Sequence, residues 1–120
     1  MSKVLVVDDE VEVVDFLCNF LNRFKITSEK ATSGVAALEA FVKLKPDWVF
    51  LDIKMPDMSG LDVLKELKIK DSGVKVIMIT GSEDKDSQNK AKDLGALDYI
   101  MKPLDLEDLH VKIQSHILKK

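Results

Sequence analysis

The sequence predicts an α/β fold in which a parallel sheet lies between layers of helices. Short β-branched runs alternate five times with longer segments of helical period. Three of those runs, Val4-Leu5-Val6-Val7, Trp48-Val49-Phe50-Leu51 and Val76-Ile77-Met78-Ile79, are apolar at every position, as strands covered on both faces require. The third observation is where the runs end. Asp8 and Asp9 follow the first, Asp52 the second and Thr80 the third, while Lys102 follows Tyr99-Ile100-Met101. Parallel strands share one carboxyl edge, so these side chains are expected to meet there.

Taken in order, β1 is expected at about residues 3–7 and α1 at about 10–24. Helix α1 has more apolar residues than one stripe uses: Val14, Leu17, Cys18 and Leu21 form one, and Val13, Phe16 and Phe20 a second. Either the buried stripe is broad or part of the surplus is exposed for docking. Strand β2, at about 26–31, alternates with charge on one side, which suits a sheet edge. Helix α2 follows Ser33 at about 34–44, and β3 is expected at about 48–51. Helix α3, at about 60–69, follows Ser59 and aligns Leu61, Leu64 and Leu67.

Strand β4 is expected at about 75–79, and α4, at about 84–94, ends before Gly95. Helix α4 offers little beyond Ala91 and Leu94 to bury, so its anchoring is expected to be weak. Strand β5, at about 97–101, leads to α5 at about 105–118. Asp105 is placed to cap α5, which aligns Leu106, Leu109, Ile113 and Ile117.

A chain of 120 residues with 46% hydrophobic content suits one domain with one core, spanning residues 1–120. Its 18 basic and 21 acidic residues give a net charge of −3, without the basic field that nucleic-acid binding uses. Cys18 is the only cysteine, so neither a disulfide nor a cysteine metal site forms within the chain. No apolar run approaches the roughly 18 residues of a membrane span, and no secretory signal precedes the first strand. A cytoplasmic protein is expected.

Two carboxylates about 4 Å apart repel by roughly 4 kcal/mol at an effective dielectric near 20. Asp8, Asp9 and Asp52 together therefore call for a cation, and few carboxylates with several waters suit Mg²⁺ or Mn²⁺. Singly, each acid reads equally well as a turn or cap residue. Independent turns do not explain why a hydroxyl and an ammonium arrive at the same edge. In this setting Asp52 is the best placed nucleophile toward phosphorus. Lys102 would pair with one phosphoryl oxygen and Thr80 would donate to another.

The segments Val6-Val7-Asp8-Asp9-Glu10, Leu51-Asp52-Ile53-Lys54-Met55-Pro56-Asp57-Met58-Ser59-Gly60, Ile79-Thr80-Gly81 and Tyr99-Ile100-Met101-Lys102-Pro103 together resemble the receiver domain of bacterial two-component response regulators, of the chemotaxis-regulator type. The resemblance spans the chain. It implies a flavodoxin-like, doubly wound (βα)5 fold with strand order 2-1-3-4-5. It further implies that Asp52 is the phosphoacceptor, supplied by a sensor histidine kinase or a histidine phosphotransfer protein. Asp9 and Asp52 would ligate Mg²⁺ directly, Asp8 largely through water, and the Lys54 backbone carbonyl would add a ligand. A cis bond is implied between Lys102 and Pro103. Thr80 and Tyr99 would be the switch residues that alter the α4, β5 and α5 surface.

The output implied is an effector protein, a homodimer through that surface, or an effector domain in a longer chain. The chain ends at Lys119-Lys120, just after α5, which fits a stand-alone receiver or an excised one. Lys54 and Ser82 occupy positions that, in the resemblance, influence phosphoryl lifetime. Gly81 implies easy access for small phosphodonors. Leu104 and Ser59-Gly60 depart slightly from the family pattern.

Other readings are weaker. A degenerate receiver would lack an acid, the threonine or the lysine. A phosphohydrolase of the haloacid-dehalogenase type would want an acid where Lys54 stands, and a flavin binder would not place Asp8-Asp9-Glu10 against a phosphate. Tyr99 alone would read as a half-buried strand aromatic, and His110 and His116, six apart, as exposed histidines.

Overall fold

The computed structural model describes residues 3–81 and 85–118. Five parallel strands, β1 (Lys3–Val7), β2 (Thr27–Ala31), β3 (Trp48–Asp52), β4 (Lys75–Gly81) and β5 (Asp98–Lys102), lie in the order β2-β1-β3-β4-β5. They alternate with α1 (Val11–Arg23), α2 (Gly34–Leu44), α3 (Gly60–Lys70), α4 (Lys85–Asp93) and α5 (Leu106–His116). The fold class and strand order match those expected from the sequence.

The apolar runs of the central strands are explained by the two faces. Val4, Val6, Trp48, Phe50, Ile77 and Ile79 pack under α1 and α5, where they meet Leu17, Leu21, Leu109 and Ile113. Their neighbours in sequence, Leu5, Val7, Val49, Leu51, Val76 and Met78, pack under the helices of the other face, with Phe41, Leu64 and Leu67. Each strand residue thus feeds one of two cores by its parity alone. Burying one large aliphatic side chain contributes about 1.5 to 3 kcal/mol. Helix α3 buries Val63, Leu64 and Leu67 completely, whereas the only buried residue of α4 is Ala91. The weak anchoring expected of α4 is therefore present.

Ser33, Ser59 and Asp105 cap their helices, accepting from the N–H groups of Ala36, Leu61 and Glu107 at 3.0, 3.1 and 3.0 Å. Gly95 takes φ +106° in the turn after α4, a left-handed conformation that favours glycine. Helix α1 starts differently. Glu10 stands at its N-cap without a side-chain bond to the helix backbone, and its own N–H donates to Asp8 Oδ1 at 2.9 Å.

Two details differ from the sequence reading, and a third settles an alternative it left open. Strand β4 extends to Gly81, so Thr80 lies within the strand rather than after it. Leu106 is 51% exposed, because the first turn of α5 borders a groove with Phe20 and Phe24 rather than the sheet. In α1, Phe20 joins the core while Phe16 stays 38% exposed, so the surplus is partly buried and partly outside. Ser82, Glu83 and Asp84, including the expected start of α4, and Lys119-Lys120 lie outside the described residues.

Candidate functional site

Asp8 stands one residue beyond β1, and its N–H extends the ladder to Ala31 O at 3.2 Å. This places its side chain inside the edge of the sheet, fully buried. Asp52 ends β3 and is 4% exposed. The chain behind it is fixed by Ile53 N–H donating to Ile79 O at 3.1 Å and Gly60 N–H donating to Ile53 O at 2.7 Å. A Cβ at Gly60 would lie 2.0 Å from Asp52 O, so only glycine lets α3 approach so closely. Asp9 is exposed. One carboxylate oxygen from each of Asp8, Asp9 and Asp52 lies within 4.8 Å of the others.

Lys102 ends β5 and reaches this cluster. Its Nζ lies 2.7 Å from Glu10 Oε1, 3.1 Å from Asp8 Oδ2 and 3.5 Å from Asp52 Oδ2. The contact with Asp8 Oδ2 has the distance of an ion pair, and among the described residues that buried oxygen has no hydrogen-bond partner. One ammonium thus serves three carboxylates. Burial first, and then the Asp8 charge, push Asp52 up to about 7 against the opposing effects of Lys102 and a Lys54 backbone N–H. Burial also raises Asp8, although Glu10 N–H and Lys102 favour its charged form. The same partners raise Lys102 despite its own partial burial.

Clustered hard oxygen donors, an orphaned buried oxygen and insufficient positive charge fit a divalent cation. Asp8, Asp9 and Asp52 could hold one. An open cleft on this side is lined by Asp9, Lys54, Pro56, Ser59 and Ser87, among others.

The other sequence-derived residues fall around the cluster. Thr80 is buried and its hydroxyl donates to Gly81 O at 3.1 Å. A Cβ added at Gly81 would meet open space. The bond between Lys102 and Pro103 is cis. Tyr99 is 41% exposed, with Lys112 Nζ 5.5 Å from its ring centroid. Cys18 is buried and free, and its burial raises the thiol.

Two features were missed in the sequence. Glu10 is a partner of Lys102, although the position directly after Asp8-Asp9 could have suggested it. His116 is not a bare exposed histidine: its Nε2 lies 3.0 Å from Asp98 Oδ2, and its ring packs on Trp48 at 5.6 Å. His110 is exposed as expected, beside Phe24.

The family model described as the response regulator receiver domain matches residues 4–114. The chain belongs to this family. Receivers are signalling modules of two-component systems. Sporulation initiation phosphotransferase F of Bacillus subtilis is 32% identical over 116 residues, covering 97% of this receiver and 94% of that protein. Regulatory protein AtoC of Escherichia coli is 33% identical over 114 residues, 95% of this receiver but 25% of that protein. A CheY-like response regulator receiver domain protein from Methanospirillum hungatei superposes with a TM-score of 0.90 at 30% identity, covering 96% of this receiver and 92% of that chain. No helix among the described residues is long and apolar enough to cross a membrane.

Proposed function

We propose that residues 1–120 form one cytoplasmic receiver whose Asp52 accepts a phosphoryl group, in a Mg²⁺-dependent step, from the phosphohistidine of a sensor kinase or a phosphotransfer protein. The observation that carries this reading is the meeting of three carboxylate oxygens within 4.8 Å, with Lys102 Nζ 3.5 Å from Asp52. Asp8, Asp9, Asp52 and the Lys54 carbonyl would hold Mg²⁺, or Mn²⁺ in its place. When bound, the ion supplies positive charge to the carboxylates and to the oxygens of the transferring group.

In the transfer, an Asp52 oxygen bonds to phosphorus as the phosphorus–nitrogen bond of the donor histidine breaks. An acyl phosphate forms, and the electron pair returns to the imidazole. Asp52 must be ionised for this, so charge that lowers it from about 7 favours the reaction at neutral pH. Lys102, already partly desolvated, exchanges a carboxylate for a phosphoryl oxygen. Thr80 gives up the Gly81 carbonyl to donate to another.

Movement of Thr80 and a turn of Tyr99 from its exposed position would then alter the surface of α4, β5 and α5. Helix α4 buries only Ala91 and is the element that shifts at least cost. That surface serves output, through an effector protein, an effector domain or a second copy. The net charge of −3 argues against direct nucleic-acid contact by this segment. The switch catalyses its own phosphorylation and dephosphorylation and has no separate metabolic substrate.

The test is intact-protein mass after incubation with Mg²⁺ and acetyl phosphate or a phosphohistidine donor. One phosphoryl adduct is expected in the wild type, and none in Asp52→Asn or without metal. An adduct that survives Asp52→Asn would place the chemistry elsewhere.

A further inference from the structure

The segment joining β3 to α3 runs beside the acidic cluster, where Ile53, Lys54, Met55 and Pro56 line the same cleft as Asp9. Its ends are closed by Gly60 N–H donating to Ile53 O at 2.7 Å. Its tip is tied to α2. Asp57 Oδ1 accepts from Gly34 N–H and Asp57 Oδ2 from Val35 N–H, each at 3.0 Å, across 23 and 22 residues of sequence. These are first-turn N–H groups for which an α-helix has no internal acceptor. The next, Ala36, is served by Ser33 Oγ, so the start of α2 is capped once locally and once from the loop.

Two further observations support the tie. The bonds from Gly34 and Val35 lower Asp57 from the ordinary carboxylate range, so it stays charged near neutrality. Met58 presses on Gly34, where an added Cβ would lie 2.2 Å from Met58 Cγ. Helix α2 is itself anchored through Ala37 and Phe41, which gives the loop a fixed support.

We infer that Asp57 is a positioning residue: by fastening the β3–α3 loop to α2, it holds the Lys54 backbone beside Asp52 in the arrangement that receives the divalent cation. This rests on the reading of Asp8, Asp9 and Asp52 as a cation site. Asp57 touches no reacting atom and acts through the loop.

The experiment is a Mg²⁺ titration of ¹⁵N-labelled protein, followed by amide shifts, for the wild type, Asp57→Ala, Asp57→Asn and Ser33→Ala. Loss of an outer partner of a metal site weakens affinity by about tenfold, and Asp57→Ala is expected to show about that loss with faster exchange of the Gly34 and Val35 amides. Asp57→Asn keeps one acceptor oxygen and is expected to fall between it and the wild type. Ser33→Ala loosens the same helix end without touching the loop and should bind Mg²⁺ within about twofold of the wild type. Three results would overturn the inference: unchanged affinity in Asp57→Ala, equal losses in the Asn and Ala variants, which would mean charge alone, or an equal loss in Ser33→Ala. A wild type that binds no Mg²⁺ would sink the cation-site reading itself, and the inference with it.

Discussion

Asp52 and Asp98 are both aspartates beside lysine, yet their surroundings push them in opposite directions. At the carboxyl edge of the sheet, one lysine faces Asp8, Glu10 and Asp52, and burial drives Asp52 up to about 7. At β5, one aspartate faces two potential cations. Asp98 accepts from Lys112 Nζ at 2.8 Å and from Tyr99 N–H at 2.8 Å, and meets His116 Nε2 at 3.0 Å. Burial opposes its charge, but Lys112 and His116 outweigh it and hold Asp98 below the ordinary range. The first cluster is short of positive charge and open to a ligand; the second is satisfied and fastens α5 to β5. The ratio of acids to cations separates a binding site from a structural tie.

The largest expected effect breaks this contrast at Asp52. Without metal at pH 7, Asp52→Asn should stabilise the fold by on the order of 2 kcal/mol, or roughly 8 °C in melting temperature. Added Mg²⁺ should stabilise the wild type more than the variant. The folded state keeps a proton on Asp52 up to about pH 7, while an ordinary aspartate releases it near 3.8. The folded state therefore binds more protons in that window, and the metal-free wild type should lose stability as pH rises through it. Urea denaturation across pH 4 to 8, with and without Asp52→Asn, measures both effects; an equal pH slope in the two proteins would contradict the assignment.

The next effect has the opposite sign. Asp98→Asn should destabilise by about 1 kcal/mol, because the cluster is partly exposed and an exposed pair contributes little more than that. The contribution of Asp98 is present above the ordinary carboxylate range and is lost as pH falls through its lowered value. The smallest effect sharpens the picture within that cluster. His116→Phe keeps a ring against Trp48 but drops the contact with Asp98, and should cost about 0.5 kcal/mol by the same denaturation assay. A loss there as large as in Asp98→Asn would show that His116, rather than Lys112, is the partner through which Asp98 fastens α5.

The five strand–helix alternations were readable because burial on both faces leaves runs such as Val4-Leu5-Val6-Val7, and capping residues mark helix starts by local chemistry. The site was readable for a related reason: chain direction brings the carboxyl ends of parallel strands together, so Asp8, Asp52 and Lys102 could be placed at one edge without coordinates. What depends on partners distant in sequence was not readable. The bond between His116 and Asp98 spans 18 residues, and nothing in the helical spacing of His110 and His116 announces it. The partners of Asp57 in α2 become visible only once that helix and the β3–α3 loop are brought side by side. Leu106 fits the period of α5 but sits where the groove, not the sheet, lies beneath it.

Lys102 has a mechanical consequence as well. Strand β5 is separated from β1 by β3 and β4, yet the ammonium at the end of β5 grips Asp8 and Glu10 just beyond β1. It acts as a tie-rod across the mouth of the sheet, anchored on an outer strand and hooked to an inner one. Any guest that draws the ammonium toward itself slackens that rod, and the outer strand then answers to whatever occupies the mouth.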